Sequence, residues 1–153
     1  YNRIFGPAPS ALYSHAKNLK IHGNVFDGSS GGVYASGSAA VHNNVFHGQT
    51  STALSGGTIS AHNNIFDLAP GAKAFGAIGT LTESHNLLTA GTPSAGSFAG
   101  KPGFVAPAKH DFHLQAGSIC IDRGKDVGLA KDMEGTPVPR GKAPDVGAYE
   151  YTP

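Results

Sequence analysis

The chain has 153 residues, a net charge of +1 and only 14% charged residues. One domain fits that length, and so even a charge balance leaves no electrostatic footprint for nucleic acid or an anionic membrane. No stretch approaches the ~20 apolar residues of a membrane span. Gly is abundant at 22 residues and Trp is absent, a composition that suits many short strands joined by tight turns. Cys120 is the only cysteine, which excludes an internal disulfide. It lies in the apolar run Ser118-Ile119-Cys120-Ile121 and reads as a small buried hydrophobe. No signal peptide is visible, and a start at Tyr1 rather than Met reads as a processed or partial chain.

Along the chain, Asn2-Arg3-Ile4-Phe5 reads as a partial first copy of a repeat. Three full copies follow without gaps: Leu19 to Phe26, Ala39 to Phe46 and Ile59 to Phe66, each offset by 20 residues. A looser fourth, Leu81 to Leu88, is offset by 22. A fixed period of this size means one supersecondary unit per repeat, stacked on its neighbours. Alternation of apolar residues, as at Leu19 and Ile21, is the two-residue period of a strand. Gly23, Asn43, Asn63 and His85 share one position, where a sharp left-handed turn is expected. The next position is Asn24, Asn44, Asn64 and Asn86, a structural ladder whose amides can bond along the stack. Phe26, Phe46, Phe66 and Leu88 are expected inside. Val33, Ala53 and Phe75 read as inward positions of another strand, and Asp27 to Gly32, His47 to Thr52 and Asp67 to Lys73 as variable loops.

Strands ending in His-Asn-Asn-Val-Phe resemble the repeats of the right-handed parallel β-helix, the pectate-lyase-like superfold. The second half extends the resemblance through Lys101-Pro102-Gly103-Phe104-Val105, Asp111 to Ser118, Ile121-Asp122-Arg123-Gly124, Asp132-Met133-Glu134-Gly135, Arg140 and Asp145 to Tyr151. That pattern resembles the carboxy-terminal end of secreted bacterial β-helix proteins, many of them polysaccharide lyases or glycoside hydrolases. The expected fold is therefore all-β: a single-stranded solenoid of about four to five coils with an irregular carboxy-terminal cap. Residues 1–89 would form coils, and 90–153 the last coil and cap of the same domain. The resemblance implies a secreted or cell-surface location and a polysaccharide partner. It leaves enzymatic activity open, with lyase chemistry ahead of hydrolysis, because fold does not give function.

Candidate site residues fall into three sets. Tyr13 and Tyr34 share an outward position, with His15 and Lys17 close by. The resemblance implies that this face holds the sugar chain, with Tyr rings stacking on sugars and Lys17 neutralising a uronate. His22, His42 and His62 form an outward ladder on adjacent coils, roughly 4.8 Å apart. Without a carboxylate in register it reads as stacked rings, with no catalytic metal expected. Asp27 and Asp67 lie two coils apart with His47 between them, a weak candidate for a hydrolytic carboxylate pair. In the cap, Asp132-x-Glu134-Gly135 faintly resembles a calcium loop, which makes calcium the one cofactor admitted. Asp122, Asp132, Glu134, Asp145 and Glu150 are expected to form a structural network centred on Arg140.

The ends carry a further expectation. The long segment after Ala90, with Phe98, Phe104, Phe112, Leu114 and Ile121, is expected to cover the last coil. Tyr1 to Ser10, with Pro7 and Pro9, is too short to roof the first. Upstream chain or another copy is expected to stack there, since an open strand edge invites pairing. The competing reading is a non-catalytic structural or self-assembling module.

Overall fold

A computed structural model describes residues 1–94 and 96–153. It is an all-β parallel solenoid of about four turns. Each coil contributes a short strand to one sheet and a longer segment to another. The first sheet stacks β1 (Arg3–Phe5), β4 (Val25–Asp27), β6 (Val45–His47), β8 (Ile65–Asp67), β10 (Leu87–Leu88) and β11 (Phe98–Ala99) in that order, all parallel. The second runs β2 (Ser10–Ser14), β5 (Gly31–His42), β7 (Thr52–His62) and β9 (Lys73–Ser84), with β3 (Leu19–His22) also on β5. A small antiparallel pair, β12 (Phe104–Ala106) and β13 (Asp111–Leu114), follows.

The turn between the sheets is built as its residue types require. Gly23, Asn43, Asn63 and His85 all have φ between 53° and 62°, the left-handed region that Gly and Asn adopt at least strain. The turn leaves buried amides that a following Asn satisfies. Asn24 Nδ2 donates to Asn44 Oδ1 (2.9 Å), Asn44 Nδ2 to Asn64 Oδ1 (3.0 Å) and Asn64 Nδ2 to Asn86 Oδ1 (3.0 Å). Each acceptor oxygen also takes the backbone N–H of the preceding Asn. Asn44, Asn64 and Asn86 additionally donate to Ile21, Val41 and Ala61 carbonyls. Asn2 extends the ladder at the first coil, donating to Asn24 Oδ1 (3.2 Å). Behind it, Phe26, Phe46 and Phe66 stack with centroids 4.9 and 5.1 Å apart, and Leu88 continues the buried column.

Two details differ from the reading of the repeat. Val33 pairs with Leu54 and Leu54 with Phe75, so this strand runs on a 21-residue offset, not 20. Irregularities between Ala35 and Ser38, and between Leu54 and Gly56, restore the register. Ala53 is buried too, beside Leu54, where its carbonyl approaches Gly32 so closely that a Cβ would clash. The variable loops are shorter than expected, because Asp27, His47 and Asp67 end strands and Gly31, Gly32 and Thr52 lie within them.

The carboxy-terminal segment begins on the last coil, where β11 pairs with β10, but it goes on to cover much more. Strands β4, β6, β8 and β10 bury both faces. Their Phe and Leu88 side chains point into the solenoid, and Val25, Val45, Ile65 and Leu87 point out. Phe104, Phe112, Leu114, Cys120, Val146, Ala148 and Tyr149 close over that outer row in a second core. The segment therefore lies along the flank of the coils and reaches the first one: Tyr1 Oη donates to the Lys131 carbonyl, and Arg3 pairs with Glu134 at 3.1 Å. Strand β9 is left as the outer edge of its sheet, with Leu81 exposed.

Replacing Asn44 by Leu removes an acceptor for two N–H groups and a donor to the Ile21 carbonyl, all buried. Unsatisfied buried groups of this kind cost roughly 1–3 kcal/mol each. Urea unfolding of Asn44→Leu is expected to show a loss of at least that size; a midpoint equal to the parent's would contradict the ladder's role.

Candidate functional site

Three clusters on the outer surface bear chemical side chains. The first sits on β2 and β5. Tyr13 and Tyr34 are register partners, and their rings stack at 4.7 Å with an interplanar angle of 15°. His15 meets Tyr13 edge-on at 5.1 Å, and its Nδ1 lies 2.8 Å from Ser36 Oγ. Tyr13 is 62% exposed. Lys17 is exposed and makes no side-chain hydrogen bond or ion pair among the described residues. The neighbour of Tyr34 on the next coil is Ser55, not Leu54 as the uniform repeat implied, because Leu54 turns inward. The aromatic row therefore ends after two rings.

The second cluster is the histidine column. His22, His42 and His62 are in register on β3, β5 and β7, and Ser84 follows on β9. Their neighbours Ile21, Val41 and Ala61 are core residues, so the rings leave the solenoid wall. They do not form an open surface ladder. Residues 125–129 pass over them: Lys125 N–H donates to Asn63 Oδ1 (2.8 Å), and Asn63 Nδ2 donates to the Lys125 carbonyl (2.7 Å). His62 is 6% exposed as a result. Burial, then the neighbouring His62, His22 and Lys125, lowers the His42 pKa from 6.5 to about 4. Burial foremost also lowers His22 and His62. The column is thus a run of neutral imidazoles at neutral pH.

The third cluster joins coil and flank. Asp27, a buried carboxylate, receives His47 Nδ1 on one oxygen (2.7 Å) and His110 Nδ1 on the other (2.5 Å). His47 Nε2 lies 3.8 Å from Asp67 Oδ2. His47 does stand between the two carboxylates. His110, 83 residues from Asp27 in sequence, had no signal in the repeat. With both oxygens of Asp27 engaged, this arrangement ties the flank segment to the coils and leaves no free carboxylate to activate water at Asp27.

The acidic residues of the cap work differently from the network expected around Arg140. The side chain of Arg140 makes no ion pair among the described residues; its backbone N–H donates to Glu150 Oε2 (2.9 Å). The carboxylates instead fold the chain by accepting backbone N–H groups. Asp145 takes Asp122 and Tyr151, Glu150 takes Asp145 and Arg140, Asp132 takes Glu134, Thr136 and Glu150, and Asp122 takes Lys142 and Ala143. Burial raises the pKa of Asp145 and Glu150 against the lowering effect of those bonds. Asp132 is spent on this turn and Glu134 on Arg3 and His113. Among the described residues, no group of three or more His, Cys, Asp or Glu is placed to hold a metal ion. Burial pushes the Cys120 thiol up to about 12, and it is free. No helix is long and apolar enough to cross a membrane.

No family model matches the chain, nor does any curated protein or solved structure.

The depressed His42 pKa gives stability a defined pH dependence. Above pH 6.5 the imidazole is neutral in both folded and unfolded chains. Between 6.5 and about 4 only the unfolded chain takes the proton, so stability falls as pH falls through that window. His42→Gln is expected to flatten the melting temperature against pH between 4 and 6.5 relative to the parent. Parallel profiles for the two proteins would contradict it.

Proposed function

We propose that this chain is the carboxy-terminal β-helix portion of a secreted or cell-surface carbohydrate-active protein of the right-handed, pectate-lyase-like kind, contributing scaffold and a sugar-facing surface. The Tyr13–Tyr34 stack, with Tyr13 exposed and Tyr34 half-buried beneath it, carries this reading. A tyrosine ring joins an apolar face to a polar tip, the combination that suits the apolar face and hydroxyl rim of a sugar. Tyr13 lies on an outermost strand, so the ring face opposite Tyr34 has no neighbouring strand of this chain against it. His15 and Ser36 supply hydrogen-bonding groups beside it. Lys17, three residues beyond the strand, would meet the carboxylate of an acidic sugar. For chemistry, lyase action suits the basic side chains here better than hydrolysis, since Asp27 is held by two histidines.

Affinity electrophoresis of the full chain against a panel of neutral and acidic polysaccharides tests the reading. Binding to at least one is expected, weakened about tenfold by Tyr13→Ala, which is about 1.4 kcal/mol, with unchanged far-UV circular dichroism. No binding across the panel, or equal binding by the variant, would refute it.

A self-assembling solenoid module is the second reading, and β9 favours it. This strand of 12 residues has no outer strand partner among the described residues, carries no Pro, and exposes Leu81. Its two charged residues, Lys73 and Glu83, stand near its ends, and the uncharged run between them is an edge of the kind that invites pairing. Sedimentation over a concentration range is expected to show self-association that Leu81→Lys suppresses; a monomer at every concentration would remove this reading.

A further inference from the structure

The passage of residues 127–129 over the histidine column leaves a cleft of about 200 Å³, lined by Lys20, His22, Ala40, His42, Val127, Gly128 and Leu129. The coil above Lys20 carries only the small Ala40 in that register, which leaves this space unfilled. The opposite wall is held firmly. Lys125 exchanges two hydrogen bonds with Asn63, and Asp126 Oδ1 accepts the Gly128 N–H (2.8 Å) in the turn that follows. The space admits several waters or a ligand of the same bulk.

Its polar lining is of one kind. Lys20 is a cation, and among the described residues no carboxylate lines the cleft. Lys125, just outside, acts on His42 and His62 with a second positive charge. Asp126 is exposed and turned onto its own loop. Burial disfavours the charged form of His22 and His42, so each imidazole brings one N–H donor; His42 Nε2 lies 3.4 Å from Ser60 Oγ, a long contact that leaves its other nitrogen unengaged. His22 is also underbonded: its Nδ1 is buried with no hydrogen-bond partner. Ala40, Val127 and Leu129 add apolar walls that exclude water from part of the site and strengthen any charge interaction within it.

We propose that this cleft binds a small organic oxyanion, with the Lys20 ammonium and the imidazole N–H groups of His22 and His42 meeting its oxygens and Ala40, Val127 and Leu129 packing its carbon skeleton. The site is separate from the tyrosine pair and does not depend on the carbohydrate reading. Carboxylate and phosphate present the same oxygen chemistry to such a site, and the two are distinguished by experiment.

The test is nuclear magnetic resonance titration of the full chain at pH 7 with citrate and, separately, inorganic phosphate, against chloride at matched ionic strength. Saturable shifts at the His22 and His42 rings and the Gly128 amide are expected, with a Kd of about 1 mM or tighter. Saturation by citrate alone identifies a carboxylate ligand with a carbon skeleton; saturation by phosphate as well identifies a general oxyanion site. Lys20→Gln is expected to weaken binding about three- to tenfold. Ala40→Leu fills the cleft and should abolish it while the rest of the amide spectrum stays in place, and Lys101→Gln should leave it unchanged. Shifts that track ionic strength alone, or an affinity indifferent to both Lys20→Gln and Ala40→Leu, would overturn the proposal.

Discussion

The structure depends on how one buried turn is satisfied. A coil that reverses direction inside a solenoid leaves peptide groups where neither water nor a sheet partner reaches them. Here a single amide per coil resolves the problem in both directions. Its oxygen accepts from the coil below, and its nitrogen donates to the coil above and to a main-chain carbonyl. This geometry works only when the same residue recurs at the same height. It therefore fixes the spacing of the coils, and with it the Phe stack, the histidine column and the tyrosine pair. The chemistry of the outer face is a consequence of a constraint in the interior.

The second organising feature is the two-sidedness of the short strands. A strand that reads Val-Phe or Ile-Phe has no polar face, and its sheet must be covered on both sides. The solenoid interior takes the aromatic column, and the irregular carboxy-terminal segment takes the aliphatic row. That segment has little regular structure to satisfy its own backbone. Four carboxylates stand in for a sheet partner, each accepting two or three main-chain N–H groups. Ionised acceptors make strong hydrogen bonds, which explains why the cap is acidic without being an ion-pair network around Arg140.

The interior was legible in the sequence because periodicity and residue type pointed the same way. Asn in two successive positions, a β-branched residue and Phe leave few alternatives to a turn, a ladder and a stack. The long strands were less legible. The one-residue slip that puts Leu54 rather than Ala53 beside Val33 is hidden in a loop, and only an irregularity further along restores the register. The flank was missed for a different reason. Val25, Val45, Ile65 and Leu87 form a second buried face whose partners lie in a segment with no period, so the repeat alone did not reveal it. Contacts such as His110 to Asp27 join residues 83 apart that no local pattern relates. The histidines share one repeat position, but the cover over their column comes from that same aperiodic segment, which no period relates to them.

The reach of the flank segment also bears on how the chain acquires its shape. A repeat array normally folds by adding each unit to the last, and its stability is a sum of neighbour terms. Here one late segment reaches from end to end of the stack: Lys131 and Glu134 meet the first coil, Val146 and Gly147 the middle ones, and Phe98 the last, on β10. Growth coil by coil cannot complete the outer core, because the coils display their aliphatic row until the residues near 148 exist. The array is thereby turned into a single cooperative unit of high contact order. During synthesis its half-made form is a ribbon with a sticky side, a form that a nascent-chain chaperone would have to shield.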